Sequence, residues 1–178
     1  MKRSLIALAL AMATSAAHAL PDNGSIMFTG RVNGNTCSIE ITDPYNGAVM
    51  SPVVLPEGDT SAFKNVGDES PPITFGMKVT SSGSCDLNAK QGFVTFSGKD
   101  GAAGAANELH ALHAGSAVGV ALAIKDNTGV LIPYGDASKD YDLDLSKTMI
   151  FQANLRSIAS TVAAGPVNAT IPFVFNVK

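Results

Sequence analysis

The sequence predicts an all-β protein, a sandwich or a barrel. Three observations carry that expectation. No stretch beyond residue 19 sustains a 3.6-residue apolar period. Short runs that alternate with period two recur instead. Between them cluster Gly, Pro, Asn, Asp and Ser, the punctuation of sandwiches and barrels.

The chain opens with a leader. Lys2 and Arg3 precede the apolar run Leu5 to Ala13, and Ala17-His18-Ala19 fits a small-x-small cleavage site. The apolar run is too short to span a membrane. Removing residues 1–19 leaves 159 residues starting at Leu20, enough for one domain with a proper core. It also removes two of the 12 basic residues, leaving 10 against 15 acidic and a net charge of −5. A mildly acidic domain without a basic patch argues against nucleic acid or an anionic membrane as partner.

The first strand is expected within Asn23 to Val32 (N-G-S-I-M-F-T-G-R-V). Ile26, Phe28, Gly30 and Val32 share one face, with Met27, Thr29 and Arg31 on the other. A chain terminus is usually polar, so this apolar pattern implies burial against something. Thr36 to Ile41 alternates next, and Asp43 to Gly47 is a turn cluster. Val53-Val54-Leu55 is a short strand closed by Pro56, and Glu57 to Pro72 is polar and turn-rich. Ile73 to Val79 alternates at Ile73, Phe75, Met77 and Val79, and Gly92 to Phe96 forms another strand. Lys99 to Ala106 reads as a flexible loop. Val118 to Ile124 is a buried strand, turned at Asp126 to Gly129 into the hairpin arm Val130 to Ile132. Tyr134 to Lys147 is polar with turns, and Met149 to Ile158 is a strand with mixed faces.

The last strand is the most regular. Every odd position from Val167 to Val177 is apolar. A long strand at a chain end needs neighbours on both sides, or it becomes an aggregation hazard. The two terminal strands could pair within one molecule, or between two.

Cys37 and Cys85 are the only cysteines. In an exported chain an even pair reads as a disulfide, worth about 4 kcal/mol for so long a loop. The alternatives, a redox pair or half a metal site, lack C-x-x-C spacing.

Taken in order, these segments resemble a chaperone–usher fimbrial subunit of the type 1 pilin kind. The residues carrying the resemblance are Gly24 to Ile39, Val54-Leu55-Pro56 with Phe63, and Ile73 to Cys85. Phe93 to Gly98, Ala117 to Gly129, Phe151-Gln152-Ala153, Val162 to Gly165 and Ala169 to Val177 continue it. Two departures stand out. The family usually has Tyr next to last, where this chain has Val177, and Pro172 lies inside the last strand, implying a bulge or an edge-like position.

The resemblance implies an incomplete immunoglobulin-like β-sandwich that lacks its last strand. It divides the chain into a signal peptide (1–19), an N-terminal donor-strand extension (20–33) and a pilin domain (34–178). Ile26, Phe28, Gly30 and Val32 are then the donor face. Ile171, Phe173, Phe175 and Val177 line the acceptor groove, and Cys37 and Cys85 form the disulfide. The implied partners are other pilin subunits, a periplasmic chaperone and an outer-membrane usher. The route runs through the periplasm to a surface fimbrium that supports adhesion. No cofactor, nucleic acid or direct membrane insertion is implied. Burying three large apolar donor side chains is worth about 5–9 kcal/mol before ordering costs, on top of strand-addition hydrogen bonds. Because a head-to-tail contact does not close, it builds a filament.

Two rival readings stay open. One is a minor adaptor or a tip adhesin binding host glycan. The other is a self-contained exported β-sandwich, enzyme or binding protein, in which Ile26 to Val32 pairs with Val167 to Val177 of the same molecule.

Other chemistry is weaker. Glu108, His110 and His113 form E-L-H-A-L-H, which is not the metalloprotease pattern. A solvated loop is expected there. Asp140, Asp142 and Asp144 alternate, but a calcium loop's glycine and terminal Glu are missing. No serine sits in G-x-S-x-G or S-x-x-K. No catalytic residue and no metal ligand is expected.

Overall fold

The computed structural model describes residues 24–33, 38–56, 58–80, 87 and 90–178. The leader, Cys37, Cys85 and their expected bridge lie outside the described residues.

Period-two alternation gives each strand one apolar face, and two sheets bury those faces against each other. Across the first sheet run β3 (Val53–Val54), β1 (Ser25–Asn33), β11 (Asn168–Val177), β5 (Gln91–Phe96) and β9 (Tyr141–Asp142). Across the second run β2 (Ser38–Thr42), β4 (Ile73–Thr80), β10 (Thr148–Ser157), β8 (Val120–Asp126), β7 (Leu109–His110) and β6 (Ala102–Ala103). One short 3-10 turn, Thr60–Ala62, is capped by Asp59, whose carboxylate accepts from the Ser61 N–H at 2.8 Å.

Aromatic rings from both sheets make the centre of the core. Phe75 of β4 stacks on Phe151 of β10 at 5.7 Å, and Phe96 of β5 meets Phe151 edge-on at 5.2 Å. Phe28 of β1 completes the group, 4.7 Å from Phe75 and 6.1 Å from Phe96.

Three expectations need correction. Lys99 to Ala106 is not simply a loop, because Ala102 and Ala103 pair with His110 and Leu109 as the edge of the second sheet. The strand expected from Val118 starts at Val120: Val118 is 67% exposed, and Gly119 before Val120 takes a left-handed turn at φ +85. The expected solvated loop at His110 is a short strand with its imidazole fully buried. The reason is common to all three. The chain leaves β5 near Gly98, lays two short strands on the edge of the second sheet, then returns toward β11. No local period announces strands of two residues.

The three alternating carboxylates go to separate partners. Asp140 pairs with Lys178 at 2.7 Å, Asp142 accepts from Gln91 at 3.1 Å, and Asp144 accepts from Ser146 N–H and Oγ.

Candidate functional site

The candidate site is the strip of the first sheet beside β11. Ala169, Ile171, Phe173 and Phe175 of β11 point inward and are buried, and Val177 is half-buried. The place beside β11, on the side away from β5, is taken by β1.

β1 lies parallel to β11 in continuous register, Ile26 opposite Ala169, Phe28 opposite Ile171, Gly30 opposite Phe173 and Val32 opposite Phe175. Every other strand pairing among the described residues is antiparallel. The strand predicted for another molecule therefore sits in this molecule's own groove. That is the pairing expected of a self-contained sandwich. Ile26 and Phe28 are buried, whereas Met27 on the other face is 43% exposed, so the face assignment made from the alternation holds at these positions. For Val32 only the backbone pairing is described.

The start of β1 is bonded on both sides. Ser25 N–H donates to the Val167 carbonyl at 2.7 Å, and its Oγ donates to Asn168 Oδ1 at 2.9 Å. On the other side Leu55 N–H donates to the Gly24 carbonyl at 2.8 Å, and β3 pairs with Ser25 and Ile26. Beyond Ile26 the outer edge of β1 has no strand partner among the described residues. An open groove of about 450 Å³ lies there, with Phe28, Gly30 and Phe173 on one wall and Ile39 and Ile41 of β2 on the other.

Gly30 has a concrete role in this arrangement. A Cβ at Gly30 would fall within the Phe173 ring, so the aromatic side chain occupies the space a larger residue would need. The close approach is between the Gly30 backbone and the Phe173 ring. Phe175 repeats the device on the other side of β11, since a Cβ at Gly92 of β5 would lie 2.7 Å from its ring. Sequence reasoning missed Gly92. Its signal was a glycine opening the strand run G-F-V-T-F.

Pro172 causes no bulge, because the register of β11 with β1 runs through it without a break. Its carbonyl accepts from Ser97 N–H at 2.9 Å, just past the end of β5. A strand residue's nitrogen and carbonyl face the same neighbour. The donor that proline lacks is thus missing where the β5 ladder ends, and the β1 side is unaffected.

No ionisable side chain lies among the inward residues of this strip. His113 and Asp100 clamp the outer face of β11. His113 Nε2 lies 3.1 Å from Thr170 Oγ1, its Nδ1 is 2.5 Å from Asp100, and its backbone N–H donates to the Asn168 carbonyl at 2.9 Å. Among the described residues no cluster of His, Cys, Asp and Glu could hold a metal ion. The arrangement offers a strand-shaped apolar seat closed by a strand from the chain's own start, and such a seat binds a strand.

Comparison with known proteins agrees with this geometry. The family model described as "Fimbrial protein" matches residues 26–178. The chain is 32% identical to a type-1 fimbrial protein subunit of Serratia marcescens, each covered in full. It is 33% identical to the probable major fimbrial subunit LpfA of Escherichia coli O157:H7, over 96% of this chain and 92% of that one. Among solved structures it resembles a Burkholderia pseudomallei antigen and type I fimbria protein, with TM-score 0.52 and 29% identity over 86% of this chain and 91% of that one. The P pilus rod subunit PapA shares the fold, with TM-score 0.55 and 16% identity over 84% of this chain and all of PapA. The chain belongs to the fimbrial protein family and is a structural subunit of a surface pilus.

Proposed function

We propose that this subunit polymerises by donor-strand exchange. Ile26, Phe28, Gly30 and Val32 form the donated face, and Ile171, Phe173, Phe175 and Val177 line the acceptor strand. The observation that carries the reading is the seat of β1 between β11 and β3. β1 comes from the chain's N-terminal end, yet it closes the sheet beside the C-terminal strand. Withdrawing it bares one edge of β11 along the whole pairing from Asn168 to Asn176. A bare edge of that length recruits another strand.

Exchange between identical subunits replaces each contact with its copy, so it is close to neutral in free energy, as in domain swapping. The isolated chain fills its own groove, and the filament fills each groove from a neighbour. A subunit whose β1 is undocked exposes apolar residues, which calls for a periplasmic chaperone before an outer-membrane usher admits the next subunit. Cys37 and Cys85 are proposed to form the disulfide. No catalytic role, cofactor, nucleic acid or direct membrane insertion is proposed.

The test locks β1 to its own β11. Ser25 and Asn168 are register partners whose side chains already touch at 2.9 Å, a geometry suited to a disulfide. Oxidised Ser25→Cys/Asn168→Cys subunits are expected to stay monomeric and to polymerise on reduction, read as a ladder on an unheated gel. Polymers formed by the oxidised subunit would reject β1 as the donor and move donation to the chain before Ser25.

A further inference from the structure

His110 is the one histidine of the described residues that is fully buried, and neither ring nitrogen has a hydrogen-bond partner there. A buried polar group without a partner is costly, so its placement needs an account. It sits in β7, opposite Ala102 of β6 and Leu122 of β8. Its ring packs 5.3 Å from the Tyr134 ring. Gly98 makes the space: a Cβ there would lie 3.3 Å from His110 Nδ1.

No charge reaches the imidazole from any element around it. β6 presents Ala102 and Ala103, and β8 presents Leu122 flanked by Ala121 and Ala123. The segment just past β5 presents Gly98. The Tyr134 hydroxyl donates to the Gly98 carbonyl at 3.4 Å. The nearby charged groups are engaged elsewhere. Glu108 accepts from Ala106 N–H at 2.9 Å, Asp100 is held by His113, and Lys125 bonds Glu69.

We propose that His110 is an acid-sensitive latch: its protonation releases the excursion over residues 98–117 from β8 and from the outer face of β11. The excursion is held to the rest of the fold by the short β7–β8 pairing and the His113 clamp on Asn168 and Thr170. Backbone bonds from Lys99 to Thr170, Ala117 to Pro166 and Tyr134 to Glu108, and the Tyr134 hydroxyl on the Gly98 carbonyl, complete the attachment. An imidazolium at His110 has no acceptor while the excursion is closed, and water supplies one when it opens. Burial lowers the His110 pKa from 6.5 to about 4. The closed form therefore binds fewer protons than the open form between those values. The preference for closure is complete above about pH 6.5 and is lost as the pH falls toward about 4. This device acts independently of strand exchange.

The test is hydrogen exchange of the full exported chain, followed at the amides of His110, Ala111 and His113 and corrected for intrinsic rates. Wild type is expected to show on the order of 30-fold more opening at pH 5 than at pH 8, while amides of the β1–β11 ladder stay protected. His110→Leu should flatten that response, and His113→Gln should keep it. Wild-type opening that does not depend on pH, or an unchanged response in His110→Leu, overturns the latch. Should His110→Leu fail to fold, the wild-type imidazole titration by NMR decides. A midpoint near 4 supports the latch, and a midpoint at the ordinary 6.5 rejects it.

Discussion

The two margins of the sandwich are closed in opposite ways. At one margin β8 is buried on both faces. Val120, Leu122 and Ile124 enter the main core, and Ala121 and Ala123 lie under Leu109 of β7. The strands that cover it, β6 and β7, are its near neighbours in sequence. At the other margin β1 is buried on one face, with most of its outer edge unpaired among the described residues, and it meets a strand more than a hundred residues away. A margin sealed by adjacent chain opens locally and recloses. A margin sealed by a chain end can be sealed equally well by another molecule's chain end. On the proposed strand exchange, the fold keeps a permanent side and an exchangeable side.

The sharpest way to break that contrast is Phe28→Ala. It deletes the ring that β1 contributes to the aromatic core, at a cost of about 3–5 kcal/mol, read from denaturant midpoints. A peptide matching residues 24–33, added to a chain that lacks them, should restore thermal stability in a concentration-dependent way. The latch margin comes next. Between pH 6.5 and about 4 the buried His110 should withdraw up to about 3 kcal/mol of stability, and His110→Phe should remove that part of the acid dependence. Gly30→Val forces the Phe173 ring out of its place and should cost about 1–3 kcal/mol by overpacking. It should also slow ladder formation. Adding Phe173→Ala should recover part of the loss, and a double-mutant cycle measures the coupling. The smallest effect belongs to Ser25→Ala, which removes one exposed bond to Asn168. Its cost should stay below about 1 kcal/mol.

Particular residues show what could be read in advance. The alternation of Ile73, Phe75, Met77 and Val79 announced β4, and the odd positions of 169–175 announced the inner face of β11. Ile26 and Phe28 were legible as a buried pair for the same reason. Gly30 was legible as a gap in the apolar face of the first strand, but not its occupant, because the Phe173 ring comes from the far end of the chain. His110 was misread as solvated. Its short strand has no period to detect, and its burial depends on Gly98, Tyr134 and β8.

The sequence alone determined the class of fold, the strand faces and the two unusually apolar terminal strands. These are local properties, since side chains alternate along any extended chain whatever lies beside it. Tertiary structure decided what period two cannot encode: which strand stands beside β11, that it runs parallel, and that in a single chain the seat is taken by the molecule's own start. Partner choice is non-local. It depends on which edges are left bare once both sheets have formed, and a bare edge accepts a matching strand from either source.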